Sequence, residues 1–465
     1  MINRTDWETY HQAQGGSYSF LLTTLDTRDK TGQDAKEQYH EVRPMILNAL
    51  RTTQPLGSPW MLTALARKLV PAPGSESFII PTVYVVCAKP LLLKDSLLEL
   101  LTLLRIEVHA GSLMFNNDLN WWFPSDRQYE KQVTMGRSIG VHGLGAQGGS
   151  GTFGGWVYSP KSGKLFGVTA GHVVLAQKSG KLYSEEELPI MERDMTMMQP
   201  SCQDYEHRIT VGESLVEEAR KDLELTGSSS PRKRQAHEYC AARLAQLALS
   251  DKDRVLGRVV LAIHGLVGGP VKQWKDYALI DVVRGKFIHK LHMAGLTHDR
   301  AERQGPSKIG AGAHLDGDCI VRGHVQVRES MKVVKAGGRT TGQSAGIVNS
   351  IKADVRLGIA FIKGNPLQGK ESAEWLVIKD REKLIHKKDP LSTGGDSGSF
   401  FVTEDDGVYK VAGMMFRGYR HGEATADVNE ISTEQDLTFI TAAQDLINWW
   451  KQDLDEDLEF GNMIQ

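Results

Sequence analysis

Thr393-Gly394-Gly395-Asp396-Ser397-Gly398-Ser399-Phe400 is the stretch whose reading decides the fold. A serine hydroxyl is a weak nucleophile near neutral pH. A hydrolytic serine therefore needs an imidazole within hydrogen-bond reach and an acid to orient that imidazole. Far upstream, Val168-Thr169-Ala170-Gly171-His172-Val173-Val174 offers the base. Between them, Asp276-Tyr277-Ala278-Leu279-Ile280-Asp281-Val282-Val283 opens a β-type apolar run with a carboxylate, a placement suited to holding an acid half-buried beside the histidine.

These three motifs resemble those of the chymotrypsin/trypsin-like serine peptidases, which carry Thr-Ala-Ala-His, Asp-x-Ala-Leu and Gly-Asp-Ser-Gly types in this order. Gly171 stands where the second alanine would be. The order His, Asp, Ser separates this pattern from the α/β-hydrolases, which run Ser, acid, His. Only His421 follows Ser397, and the Gly-x-Ser-x-Gly elbow fails at Ser399. The resemblance covers about residues 135–455 and implies a mainly β fold, a double six-stranded β-barrel.

Residue roles follow from the same resemblance. Ser397 would attack a scissile carbonyl, His172 would act as base and then acid, and Asp276 would hold the imidazole's tautomer. The backbone N–H groups of Gly395 and Ser397 would form an oxyanion hole, where glycine suits a donor turned outward. Phe416, Arg417 and Gly418 would wall the primary specificity pocket. Leu391 falls where trypsin-type enzymes carry the aspartate of the pocket base, which favours an apolar residue over Arg or Lys. Family zymogens pair a new N-terminus with the aspartate before the serine, here Asp396. Cleavage near Arg137-Ser138-Ile139 would make such a terminus, and the plainer expectation is an internal partner for Asp396.

Composition bounds the rest. The chain has 465 residues, 40% of them apolar, and a net charge of −2 from 55 basic and 57 acidic residues, which asks for neither nucleic acid nor a membrane. No apolar run reaches the roughly 18 residues of a membrane span, and the first 20 residues, with Asp6, Glu8, His11 and Gln12, lack a signal-peptide core. Four scattered cysteines without C-x-x-C spacing favour a reducing, cytoplasmic or nuclear setting.

Residues 1–130 carry no protease motif and read as an α+β accessory domain. Phe78-Ile79-Ile80 is a short extended run expected to stop at Pro81, Thr82 to Val86 is a stronger strand, Ser96 to Leu104 a helix opened by a capping box, and Ile106 to Ala110 a strand. A regulatory partner docking there and a purely structural extension are the two readings. The protease domain spans 131–465, with a helical insertion at about 203–255 that accounts for the surplus in the 104-position separation of His172 and Asp276. Gly143 to Gly148 matches G-x-G-x-x-G, but a strand rather than a helix follows it. His289, His292 and His298 lack a supporting acidic or cysteine framework, so no metal and no cofactor are expected. The reading is a serine endopeptidase acting on an intracellular protein or peptide substrate through an acyl-enzyme. The alternative is a protease-fold interaction module with an idle triad.

Overall fold

The computed structural model describes residues 19–55, 58–70, 78–97, 106–114, 133–143, 150–175, 195–225, parts of 234–244, 249–267, 272–283, 321–356, 371–380, 391–405, 408–421 and 437–461. The calls at His289, His292 and His298 and at most of the Gly143 to Gly148 run fall outside them. The molecule is mainly β with few helices. The N-terminal elements are β1 (Ser19–Thr23), α1 (Lys30–Thr53), β2 (Trp60–Val70), β3 (Phe78–Cys87), α2 (Pro90–Ser96) and β4 (Ile106–Met114).

Then come β5 (Ser138–Val141), β6 (Ser150–Thr152), β7 (Gly155–Tyr158), β8 (Leu165–Thr169), α3 (Gly171–Leu175), β9 (Thr196–Met198), α4 (Cys202–Leu225), α5 (Asp251–Arg254), β10 (Val255–Val267) and β11 (Gln273–Val282). The C-terminal part holds β12 (Val321–His324), β13 (Lys332–Lys335), β14 (Ser344–Val348), β15 (Ala353–Arg356), β16 (Ser372–Lys379), β17 (Phe400–Asp405), β18 (Val408–His421), β19 (Leu437–Ala442), α6 (Ala443–Leu454) and β20 (Glu459–Phe460).

Two β layers result. The strands β13, β14, β16, β19, β18 and β17 pair in a ring that closes on β13, giving a six-stranded antiparallel barrel. A second sheet, β20-β7-β8-β11-β10-β9-β5-β6, is an open half-barrel of eight strands. Closure abolishes edge strands in the first. A shared core joins the two layers, with Phe153, Val168, Leu279 and Trp450 on one side and Phe400, Val402 and Met414 on the other. Helix α6 packs Leu446, Trp449 and Trp450 into that core and ends at Asp455 in the left-handed conformation.

The N-terminal strands run on into the barrel's sheet. Strand β2 pairs with β15 and β4 pairs with β18, both antiparallel. Met61, Leu65, Tyr84 and Val86 share one core with Val355, Leu376, Ile378 and Phe439. Arg43 forks onto Asp354 at 2.6 and 2.5 Å beside it.

Several local expectations change. Strand β3 runs through Pro81, which faces Ala66, because β4 joins β3 only from Val83 and no ladder donor is asked of Pro81 by a strand among the described residues. Ser96 lies at the end of α2, which Pro90 opens at its first turn, and the helix expected on to Leu104 lies for the most part outside the described residues. The long α1 carries no strong sequence signal, having many charges and Pro44 inside it. Helix α4 begins at Cys202, at the start of the insertion expected at about 203–255. No helix among the described residues is long and apolar enough to cross a membrane.

Met61 is fully buried in the core shared by the N-terminal strands and the barrel. Met61→Ala is expected to cost about 2–5 kcal/mol and to lower one cooperative unfolding transition in calorimetry. Two resolved transitions, only one of them shifted, would show that the N-terminal strands unfold on their own.

Candidate active site

His172 sits on α3, the short helix entered directly from β8, and Asp276 sits on β11, the neighbour of β8. That adjacency brings together two residues 104 positions apart. Asp276 Oδ2 lies 2.7 Å from His172 Nδ1, and Asp276 Oδ1 accepts the His172 backbone N–H at 2.8 Å. The carboxylate thus grips the ring and the backbone of the same residue. Gly171 makes the approach possible, because a Cβ there would lie 1.8 Å from the Ile263 carbonyl oxygen. An alanine, as in the family's motif, would not fit.

A carboxylate only accepts hydrogen bonds, so His172 Nδ1 carries the proton and Nε2 keeps the lone pair of a base. Burial alone would raise the Asp276 carboxyl. The His172 and His264 rings, by charge and by hydrogen bonding, outweigh it and hold the group well below the usual carboxylate range.

Ser397 arrives from the other layer, in the loop before β17. Its Oγ donates to the Phe416 carbonyl at 3.4 Å. The loop is laced to the histidine's side through Thr152 at the end of β6. The Thr152 N–H donates to Ser397 O at 2.9 Å, its hydroxyl donates to Gly395 O at 2.8 Å, and its own carbonyl accepts from Thr169 Oγ1 at 2.8 Å. The Arg339 N–H donates to the Thr152 hydroxyl at 2.9 Å.

The proposed oxyanion donors have a defined orientation. Gly394 O accepts from Thr340 Oγ1 at 2.5 Å, and in a planar trans peptide the next N–H points the opposite way. The Gly395 N–H is therefore turned away from Thr340. Gly395 has φ +91°, and a Cβ would lie 2.2 Å from Arg339 Nη1, so both backbone angle and space demand glycine.

Asp396 has an internal cation. Lys335 Nζ sits 2.7 Å from its carboxylate, both side chains fully buried, and N–H groups of Thr340 (2.8 Å), Thr341 (3.2 Å) and Thr393 (3.2 Å) also donate to it, as does the Thr341 hydroxyl. Burial raises the Asp396 carboxyl, but Lys335 and these donors hold it below its ordinary value. The position that a freshly cut N-terminus would take is filled by Lys335. Around the suggested cut, Arg137 and Ser138 are buried, and the Ser138 hydroxyl donates to Asp204.

The expected pocket residues are all placed. Leu391 is fully buried with Val348, Phe401 and Met415 in the barrel core, so it presents no surface to a ligand. Phe416 packs in the core shared with the N-terminal strands. Arg417 is buried, and that burial lowers its pKa to about 9 against the opposing charge of Asp276 and Glu374. Gly418 is paired on both edges of β18.

Several residues of the site were not read from the sequence. His264, across the β10–β11 ladder from Asp276, brings Nδ1 to 3.1 Å from Asp276 Oδ1 and stacks on Trp274 at 5.0 Å. Burial lowers its pKa, favouring the neutral ring. Arg339 forks onto Asp204 of α4 at 2.6 and 2.5 Å, tying the insertion to the serine loop. Lys335 had a signal: it lies two residues beyond Val333 on the same buried face of β13.

His172, His264 and Asp276 also present three donor atoms within 4.8 Å of one another, the only such group among the described residues. A tetrahedral zinc with bonds of about 2.0–2.1 Å would space its ligand atoms about 3.3 Å apart. The 2.7 Å between His172 and Asp276 is instead the spacing of a shared proton. No protein-family model and no curated protein sequence matches the chain.

Glu374 is buried, accepts the Trp274 N–H at 2.8 Å, and burial pushes its carboxyl up to about 7 from 4.5. Between those values the folded state binds the extra proton, so Glu374 makes stability fall as pH rises from about 4.5 to about 7. Glu374→Gln is expected to flatten that fall, by about 3 kcal/mol at most, in melting curves taken from pH 4.5 to 8. An unchanged slope would show that the carboxyl is already ionised at the lower end. Removing one partner of the other buried group, Lys335→Met, is expected to cost about 3–5 kcal/mol and to slow reaction at Ser397 in the fraction that stays folded.

Proposed function

We propose that the protein is a serine peptidase of the chymotrypsin-like kind, its half-barrel and closed barrel corresponding to that family's two barrels. The observation that carries the reading is the double grip of Asp276 on His172, with Nδ1 at 2.7 Å and the backbone N–H at 2.8 Å. An aspartate so placed orients an imidazole as a base, and nothing in the packing alone calls for it.

In this mechanism Ser397 Oγ attacks the substrate carbonyl carbon while its proton passes to His172 Nε2. Asp276 stabilises the resulting imidazolium. The carbonyl oxygen becomes an oxyanion facing the N–H groups of Gly395 and Ser397. Each such donor is worth roughly a hundred- to a thousandfold in turnover. His172 then protonates the leaving amine, the C–N bond breaks, and an acyl-enzyme remains. Water repeats the sequence, losing its proton to His172 and releasing the acid. No cofactor takes part in any of these steps.

A second reading, a protease-fold interaction module with an idle triad, is favoured by one observation: Ser397 is 1% exposed and His172 3%.

A fluorophosphonate probe, small and selective for activated serines, separates the two. Wild type is expected to label, Ser397→Ala and His172→Ala to abolish labelling, and Asp276→Asn to slow it by about three to four orders of magnitude. A folded wild type that does not label would favour the interaction module.

A further inference from the structure

His264 stands directly opposite Asp276 in the β10–β11 ladder, so both side chains project from the same face of that hairpin. His172 reaches the same carboxylate from α3. Two imidazoles therefore share one buried aspartate. Their rings meet edge to face, with centroids 5.8 Å apart and planes at 65°. Each ring is held in place. Asp276 grips His172 by ring and backbone, and His264 lies against Trp274 with centroids 5.0 Å apart.

The carboxylate thus has three nitrogen neighbours. Oδ2 takes the His172 Nδ1 proton at 2.7 Å, and Oδ1 takes the His172 backbone N–H at 2.8 Å. His264 Nδ1 stands 3.1 Å from Oδ1. A bare ring nitrogen there would turn its lone pair on an anion, so a neutral His264 carries its proton on Nδ1. Each donor stabilises the charged carboxylate. Whatever share of that charge His264 takes up is not left for His172.

The charged and titratable groups around His264 come from several elements. Burial opposes its protonation most strongly, Asp276 on β11 favours it, and His172 on α3 and Arg417 on β18 oppose it. Lys275, next to Asp276, turns instead to Asp453 of α6 at 2.7 Å. Glu374 on β16 acts on Arg417 as an opposing charge, and burial pushes its own carboxyl up to about 7. Asp276 can offset one imidazolium, and a second beside it would add like charge in a buried place. The balance leaves His264 neutral and makes His172 the ring that takes up the proton.

We propose that His264 is a positioning residue whose Nδ1–H draws on the carboxylate that serves His172, so that His172 stays an unprotonated base at lower pH than it would beside an aspartate of its own. The proposal rests on the peptidase reading and deepens it, naming a residue that sets the acid end of the site's working range. The sign follows from the charge balance. Without His264, Asp276 has more of its charge to offer the His172 imidazolium, so the protonated ring is stabilised and the base is lost at a higher pH. Removing any positive charge that His264 itself takes up acts in the same direction.

The test uses the full chain and two readouts. One is the rate of fluorophosphonate labelling from about pH 4.5 to about 9, read as the midpoint of the acid limb relative to each protein's own plateau. The other is the nitrogen–proton spectrum of the histidine rings, which reports the tautomer and titration midpoint of each ring whether or not the serine reacts. His264→Phe keeps an aromatic ring against Trp274 and removes the donor, and His264→Asn can put an amide N–H near the Nδ1 position. Glu374 is present in all three proteins, so its titration does not enter the differences.

The acid limb of His264→Phe is expected to move up by about one pH unit. Below both midpoints it would then label about tenfold more slowly than wild type, each relative to its own plateau. His264→Asn is expected to restore the wild-type midpoint. A loss of packing alone would lower the plateau or the melting temperature and leave the midpoint where it was. In wild-type ring spectra, His264 is expected to stay neutral with its proton on Nδ1 while His172 titrates.

Equal midpoints in wild type and His264→Phe overturn the proposal. So does a wild-type His264 that bears its proton on Nε2 or takes up charge before His172, a result that needs no variant to fold. If folded wild type does not label, the peptidase reading falls by itself, and the His172 midpoints in the ring spectra then uphold or overturn the hold of His264 on His172.

Discussion

The geometry of the candidate site depends on one buried hydroxyl. Thr152 is fully buried and ties the serine loop and Arg339 to the strand that leads to the histidine. Its N–H holds the Ser397 carbonyl, its hydroxyl holds the Gly395 carbonyl and receives the Arg339 N–H, and its carbonyl receives the hydroxyl of Thr169, three residues before the histidine. A hydroxyl can donate once and accept from others, and here both capacities are used between the two layers. Valine, the same shape without the hydroxyl, would keep the packing and leave two buried backbone groups without that partner.

Charge is arranged around that clasp in the same spirit. Lys335 with Asp396 and Arg339 with Asp204 are buried ion pairs on either side of the serine loop. Such pairs contribute little net stability against a well-packed apolar substitute, because desolvation offsets attraction. Their geometric effect is larger. Asp396 gathers the N–H groups of Thr340, Thr341 and Thr393 around Lys335, and Arg339 fills the space that a side chain at residue 395 would need. Both pairs hold the loop in the one shape that turns the Gly395 N–H outward.

What could be read from the chain was local chemistry. Gly-Asp-Ser-Gly, the histidine motif and the strand after Asp276 are short stretches whose residue types carry their own reasons, and of the architecture expected with them the structure shows a mainly β fold with one closed six-stranded barrel beside an open sheet of eight strands. What escaped was whatever depends on register. His264 faces Asp276 only because the β10–β11 hairpin pairs them, and a slip of one residue would turn each side chain to the opposite face. Pro81 looked like a strand end because a proline lacks a donor, yet among the described residues β4 pairs with that side of β3 only from Val83. The pocket residues Leu391 and Phe416 were placed by counting along the chain, and burial is a property of the finished packing that counting does not reach.

The N-terminal strands and the insertion also change in meaning once registers are known. Neither is an appendage on a finished pair of β layers. Asp204, in the first turn of α4, holds Arg339 against Gly395, and β4 completes the edge of β18 two residues beyond the serine's contact at Phe416. Added segments ordinarily sit on the surface, where a loop's backbone can find water. These two reach inward because each carries what the site's edges lack: a carboxylate to neutralise a buried guanidinium, and a strand to cover exposed ladder groups. A half-barrel and a closed barrel alone would leave Arg339 an unpaired buried charge and β18 an open edge, two costs that the extra segments remove.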